Sequence, residues 1–422
     1  MIKKSFLLKI FNASCMQRWN DKLRPIELTE MDKQAHKMMI AYILGKMVED
    51  KGEDVSWIRI IEGGIYEYML RAALTDIKPP VFYSIKKQTA RYHKMIDWAY
   101  KIWEPLIGNL EERFIEEKNF CDYHKRKEGN KDRNILEAAH KLATHWEYDY
   151  LLEQFNQKDY EKDTIKTRHL KESKNCKKEG FHYIGNDLER LVNFCGQLRF
   201  QVRWGHLHRV PRTSVLGHLL FVAIITYIIS LELGKAPNQR YCNKRLYNNF
   251  FTGLFHDLPE ALTRDIISPI KETGIDKIIK KLEAVEMENK ILKYLPDDAW
   301  KDEIRLFTGI LKDSKGKQLS EFSNVYLAEG KCISLPSDDM TNFNEDSNKR
   351  RDGSIVKAAD HLAAFIEAFV AIENGCSSKD LNGALYKIKS EFDITTPQGN
   401  TFAPKGSDPA TFKLMREIYS EF

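Results

Sequence analysis

Three apolar segments of the 422-residue chain carry side chains of the kinds that can hold a metal ion. His218 lies in Gly217-His218-Leu219-Leu220-Phe221. His256 and Asp257 end the run Phe250-Phe251-Thr252-Gly253-Leu254-Phe255. Asp360 lies in Val356-Lys357-Ala358-Ala359-Asp360. Imidazoles and carboxylates on such segments are costly to bury unless something pairs them, and a divalent cation does so. A mixed imidazole and carboxylate set suits Mn, Co, Ni, Zn or Fe(II) better than an all-oxygen site would. One cation per chain, held by these four side chains with positions left open, would act as a Lewis acid on a bound substrate oxygen and lower the pKa of water. Asp257 then serves both as ligand and in catalysis. Glu260 follows His256 by four residues, so a helix puts both on one face. It is placed to act as a general acid toward a departing alkoxide. His206, His208, His361 and the histidines of the N-terminal half read as ordinary hydrogen-bonded histidines.

The elements that must position these residues are helices. Helical periodicity dominates, prolines such as Pro237, Pro259, Pro269 and Pro336 punctuate it, and β-branched alternation is scarce. The fold expected is all-α, with His218 on one long helix, His256-Asp257 near the end of a second and Asp360 on a third, a bundle gathering them in its core. One minor β-hairpin is expected, pairing the segment from Asn324 to Leu327 with that from Cys332 to Leu335. Ser314 to Asp352 otherwise reads as a polar loop, and Thr395 to Pro409, rich in Pro, Gly, Thr and Ser, as another.

The run from Leu219 to Leu233 carries Glu232 and falls short of the roughly 20 apolar residues a spanning helix needs, so it reads as a buried core helix with no membrane involved. Met1 to Phe11 is interrupted by Lys9 and lacks a small-residue cleavage site, which argues against a signal peptide. Seven cysteines without a Cys-x-x-Cys pair read as reduced thiols in a cytoplasmic protein. The net charge of +5 fits a phosphate-bearing substrate without demanding nucleic acid. The runs Lys125-Arg126-Lys127 and Lys349-Arg350-Arg351 read as solvated loops, so nucleic acid is not an expected partner.

The chain also repeats itself. Arg18-Trp19 recurs as Arg203-Trp204, each after an amphipathic stretch, so the N-terminal apolar stretch reads as the first helix of repeat one. His36-Lys37-Met38-Met39-Ile40-Ala41 parallels His218 to Ala223. Thr75-Asp76-Ile77-Lys78-Pro79 parallels Arg264-Asp265-Ile266-Ile267-Ser268-Pro269, and Ile135 to Ala143 parallels Ile355 to Ala363. In this alignment Glu67-Tyr68 stand for His256-Asp257, Arg71 for Glu260 and His140 for Asp360. Repeat one keeps the scaffold and loses most ligands, so it reads as a degenerate copy. The competing reading is a different metal held by His36, Glu67 and His140.

The order His, His-Asp, Asp resembles the signature of the HD-domain metal phosphohydrolases. Arg203-Trp204, fifteen residues before His218, together with His256-Asp257-Leu258-Pro259-Glu260-Ala261-Leu262-Thr263-Arg264-Asp265, is similar to the HD-domain 5′-deoxynucleotidases over about Leu188 to Ile372. These are dimeric, all-helical enzymes that remove phosphate from deoxyribonucleoside 5′-monophosphates. The resemblance implies that Arg203 contacts the 5′-phosphate through its fork of donors. It implies that Trp204 packs on the sugar against a 2′-hydroxyl and that Asp265 accepts from the 3′-hydroxyl. Gly217 and Leu219 depart from the family, which usually has Glu before the first histidine and a small hydroxyl residue after it. The duplication departs from the usual single-domain form.

The expectation is therefore two tandem HD-type helical bundles: a degenerate domain at 1–155, a charged linker at 156–182, an active domain at 183–394 and a tail at 395–422. The two copies would form an internal pseudo-dimer, with a homodimer of whole chains as a further arrangement. The expected activity is removal of phosphate from (deoxy)ribonucleoside 5′-monophosphates. The alternatives are an HD phosphohydrolase acting on a cyclic nucleotide, a triphosphate or an alarmone, and a nucleotide-sensing protein with a vestigial site.

Overall fold

The most apolar segment of the chain becomes the helix at its core. Val215–Leu233 is buried on nearly every side, as expected of a helix apolar all round. It is long and apolar enough to cross a membrane, but 89% of its apolar window is covered by the rest of the fold. Ser214 starts it, its side chain accepting from the Gly217 N–H. The computed structural model describes residues 2–75, 77–107, 110, 114, 116–126, 130–178, 186–235, 240–264, 274–328, 330–336, 339, 341–392 and 408–422.

The chain forms two compact units. The C-terminal unit comprises Met1–Leu8, Ile107–Glu112 and Gln197–Phe422; the N-terminal unit comprises Lys9–Leu106 and Arg113–Gly196. The helix expected at the start of repeat one is present as Lys4–Phe11. Its residues up to Leu8 belong to the C-terminal unit, where the Lys4 N–H donates to Glu421 and the Lys4 ammonium lies over the rings of Phe369 and Phe422. The corresponding helix before the second Arg-Trp pair, Asn186–Gln197, belongs to the N-terminal unit as far as Gly196.

In the C-terminal unit the core helix packs against Asn243–Phe255 and Gly353–Glu373. The first crossing is close because Gly253 has no side chain: a Cβ there would lie 2.8 Å from the Ala223 Cα. That contact sets His218 and His256 at neighbouring levels. The expected hairpin is β3 (Asn324–Ala328) against β4 (Lys331–Ser334). The sequence did not disclose three two-residue strands. β1 (Leu311–Lys312) pairs with β2 (Gln318–Leu319), and β5 (Arg351–Asp352) joins β3. Part of the Ser314–Asp352 stretch read as loop is therefore sheet. Past the expected loop, Pro409–Ser420 is a helix with Phe412, Met415, Ile418 and Tyr419 buried. Residues 393–407 lie outside the described residues.

The helix carrying Asp360 is anchored at the residue just before it by a charge cluster. Asp352 is fully buried and accepts from Arg245 Nε (2.6 Å) and Nη2 (2.9 Å), Arg350 Nε (2.9 Å) and Asn249 Nδ2 (2.9 Å). Burial pushes its carboxyl pKa up, but Arg245 and Arg350 outweigh that and hold it below the usual carboxylate range. Removing one member of such a cluster strands buried charge. Asp352→Ala is expected to cost about 3–5 kcal/mol in a denaturant melt. Because the pKa is lower in the folded state, this stabilisation is present above about pH 4 and fades as pH falls through the folded value. The stability gap between wild type and Asp352→Asn should therefore narrow in acid.

Candidate active site

The structure brings together the four side chains whose spacing suggested a metal. His218 Nε2 lies 2.9 Å from Asp360 Oδ1, and His256 Nε2 lies 3.2 Å from Asp257 Oδ2. Ligating atoms of His218, His256 and Asp257 all fall within 4.8 Å of one another. His256 Nδ1 is 3.0 Å from the Gly253 carbonyl. A carbonyl only accepts, so Nδ1 carries the proton and the Nε2 lone pair faces the carboxylates. That Nε2 is buried without a hydrogen-bond partner. An orphaned imidazole nitrogen beside two carboxylates is the donor set a divalent cation requires, so these residues fit one.

The electrostatics agree. With no cation bound, burial pushes His256 down, yet Asp257 and Asp360 reverse this and its pKa rises to about 9, so a proton on Nε2 then fills the place a cation would take. Burial and Arg203 push His218 down, and Asp360 and Glu367 raise it above the ordinary value. Asp257 and Asp360 are half-buried, and desolvation raises them, but the imidazoles hold both below the usual range. The site is thus built to hold positive charge between its carboxylates.

Arg203 and Trp204 precede the His218 helix in a turn closed by an antiparallel bridge between Val202 and Ser214. Trp204 takes a left-handed backbone with φ 58°. Arg203 Nη1 reaches within 4.0 Å of Asp257 Oδ2, so the guanidinium borders the cluster. The Trp204 ring leans on the small core of Ala368, Ala371 and Leu381. Glu260 begins the short helix Glu260–Thr263 directly after His256-Asp257, is buried, and has its carbonyl bonded by Gln201 Nε2 at 2.9 Å. Phe322, just before β3, sets its ring 6.1 Å from that of His256, giving the site an apolar wall. Asp265 lies outside the described residues.

Sequence reasoning overlooked Glu367. Its side chain is 1% exposed and accepts from Arg203 Nε (3.2 Å), Trp204 Nε1 (2.8 Å) and Thr213 Oγ1 (3.0 Å), with His218 Nδ1 at 3.4 Å. Two signals pointed to it. It stands two helical turns after Asp360 in an apolar stretch, and repeat one has Glu147 two turns after His140.

The N-terminal unit repeats this construction with other chemistry. Trp19 also has a positive φ of 54°, and Gln17 bridges Thr29 as Val202 bridges Ser214. Glu147 accepts from Arg18 Nε (3.0 Å) and Trp19 Nε1 (2.9 Å). Thr29 caps Glu30–Glu49 as Ser214 caps its helix, so Lys33 stands where His218 does. This corrects the pairing of His36 with His218. His36 faces elsewhere, its Nε2 at the Val192 carbonyl and its ring edge-on to Trp146. Lys33 Nζ is hydrogen-bonded to His140 Nδ1. Around them Lys37 pairs with Glu67 at 3.0 Å, Arg18 with Glu30 at 2.7 Å and with Glu147 at 2.9 Å, and Arg71 with Glu30 at 3.5 Å. Burial raises Glu67, but Lys37 and His140 bring it to about 2. The carboxylates of this copy are neutralised by the chain's own cations.

Residues 195–389 match the family model of the HD domain. A 5′-deoxynucleotidase of Shewanella oneidensis is 24% identical over 160 residues, 37% of this chain and 80% of that protein. A 5′-deoxynucleotidase of Photobacterium profundum is 30% identical over 102 residues, 24% of this chain and 50% of the relative. One of Photorhabdus temperata is 27% identical over 141 residues, 33% of this chain and 67% of the relative. HD domains bind divalent metals, and the matched segment contains every residue of the cluster above. Residues 195–389 thus match an HD domain, and the same half of the chain is similar to the 5′-deoxynucleotidases.

Proposed function

We propose that the C-terminal unit hydrolyses deoxyribonucleoside 5′-monophosphates to the nucleoside and inorganic phosphate. The observation that carries this reading is the placement of Arg203, with Trp204 beside it, at the edge of the His218, His256, Asp257 and Asp360 cluster. These four side chains would hold a divalent cation, which supplies Lewis-acid polarisation of the phosphoryl group and a more acidic water. Arg203 orients the phosphate with its planar donors. Trp204 sits next in the chain, where the sugar would lie, and its edge disfavours an added 2′-hydroxyl. Water attacks phosphorus, the bond to O5′ breaks, and Glu260 protonates the departing alkoxide. Asp265 is proposed to accept from the 3′-hydroxyl.

The N-terminal unit is proposed to be a copy retired from catalysis. Arg18, Lys37 and Arg71 pair with its carboxylates, so like-charge repulsion opposes a further cation there. The fork of Arg18 is engaged by Glu147 and Glu30, which leaves a nucleotide phosphate poorly served. The cysteines described are all unpaired thiols, which supports a reducing compartment and the cytoplasm as the proposed location.

Phosphate release from the eight common ribo- and deoxyribonucleoside monophosphates, assayed with Mn or Co, should be confined to deoxy substrates. Glu260→Ala should lose about 10²- to 10⁴-fold in kcat. No release from any monophosphate would overturn the reading. Trp204→Ala should narrow the deoxy-over-ribo ratio of kcat/KM by about tenfold or more, and an unchanged ratio would remove that role. Elemental analysis should find one ion per chain, lost in Asp257→Ala and retained in His36→Ala and His140→Ala.

A further inference from the structure

The residue before His218 is a glycine, so the chain offers no carboxylate there to steady that imidazole. A metal-binding histidine usually donates the proton on its far nitrogen to a carboxylate, a carbonyl or water, so that the near nitrogen presents its lone pair. Glu367 answers from another helix. Its Oε1 faces His218 Nδ1 at 3.4 Å and is fixed by the Thr213 hydroxyl at 3.0 Å, while its Oε2 takes the Trp204 indole and Arg203 Nε. The two copies separate these tasks. Glu147 keeps the Arg-Trp clamp in the N-terminal unit, but there Leu28 replaces Thr213 and Lys33 replaces His218. The hydroxyl and the imidazole that meet Oε1 are found in the copy that carries the metal-type residues, and leucine and lysine stand at those positions in the other.

We propose that Glu367 is a positioning residue that joins the His218 imidazole to the Arg203–Trp204 pair, so that one carboxylate governs both cation affinity and the fit of the sugar and phosphate. The second half of this claim rests on the nucleotidase reading; the first does not. Thr213 belongs to the same device, since it holds Oε1 toward His218.

The test is calorimetric titration of metal-stripped full-length protein with Mn²⁺, run in parallel on wild type, Glu367→Gln and Glu147→Gln. Glu367→Gln is expected to weaken Mn²⁺ binding by about 10- to 100-fold and to narrow the deoxy-over-ribo ratio of kcat/KM. Glu147→Gln, which disturbs the matching clamp, is expected to lower the melting temperature without moving either quantity. Unchanged Mn²⁺ affinity in Glu367→Gln, or an equal loss in both variants, would overturn the proposal, since both copies would then show a packing effect only. Should Glu367→Gln not fold, Thr213→Val must reduce Mn²⁺ affinity, and an unaltered titration overturns the claim. If no monophosphate is turned over by wild type but Mn²⁺ affinity still falls in Glu367→Gln, the link to His218 stands and the nucleotidase reading falls.

Discussion

Carboxylates that face one another in a protein interior must be neutralised from within reach, and both units are organised around that demand. In the C-terminal unit Asp257 and Asp360 meet His218 and His256, with Arg203 at the border. There the imidazole nitrogens His218 Nε2 and His256 Nε2 face the carboxylates. The helices of this unit serve the arrangement. Gly253 lets two of them close up, and the buried Asp352 cluster ties the start of the third to the helix that ends in His256.

The N-terminal unit meets the same demand with covalently attached charge. Arg18, Lys37 and Arg71 take the carboxylates of Glu30, Glu67 and Glu147. Fold and site are separable here in a concrete way. The caps, the bridge before the first long helix and the left-handed tryptophan are common to both copies, while the charges at the centre have been exchanged.

Much of this was legible in the sequence, for physical reasons. Polar residues in apolar helical runs are expensive, so His218, His256, Asp257 and Asp360 stood out, and periodicity announced helices. Glu367 was missed because a single glutamate between Ile366 and Ala368 has no partner nearby in sequence; its donors lie on another segment. The slip between His36 and Lys33 arose because a histidine was matched to a histidine, whereas helix caps, which fix the frame, favoured a shift of one turn. β1, β2 and β5 are two residues long, too short for alternation to show. The final helix carried readable marks, Asp408 as cap, Pro409 in the first turn and apolar residues at helical spacing, which the Pro- and Gly-rich stretch before it obscured.

The positive φ of Trp204 has its own consequence. A left-handed backbone at a bulky residue costs roughly 1–2 kcal/mol, and the indole bond to Glu367 helps offset it. Glycine at this position would relieve the backbone while deleting the ring. Its packing on Ala368, Ala371 and Leu381 and its bond to the buried Glu367 would go with the ring, so the side chain that strains this turn is also the one that anchors it, and relief of the backbone would not make up the loss.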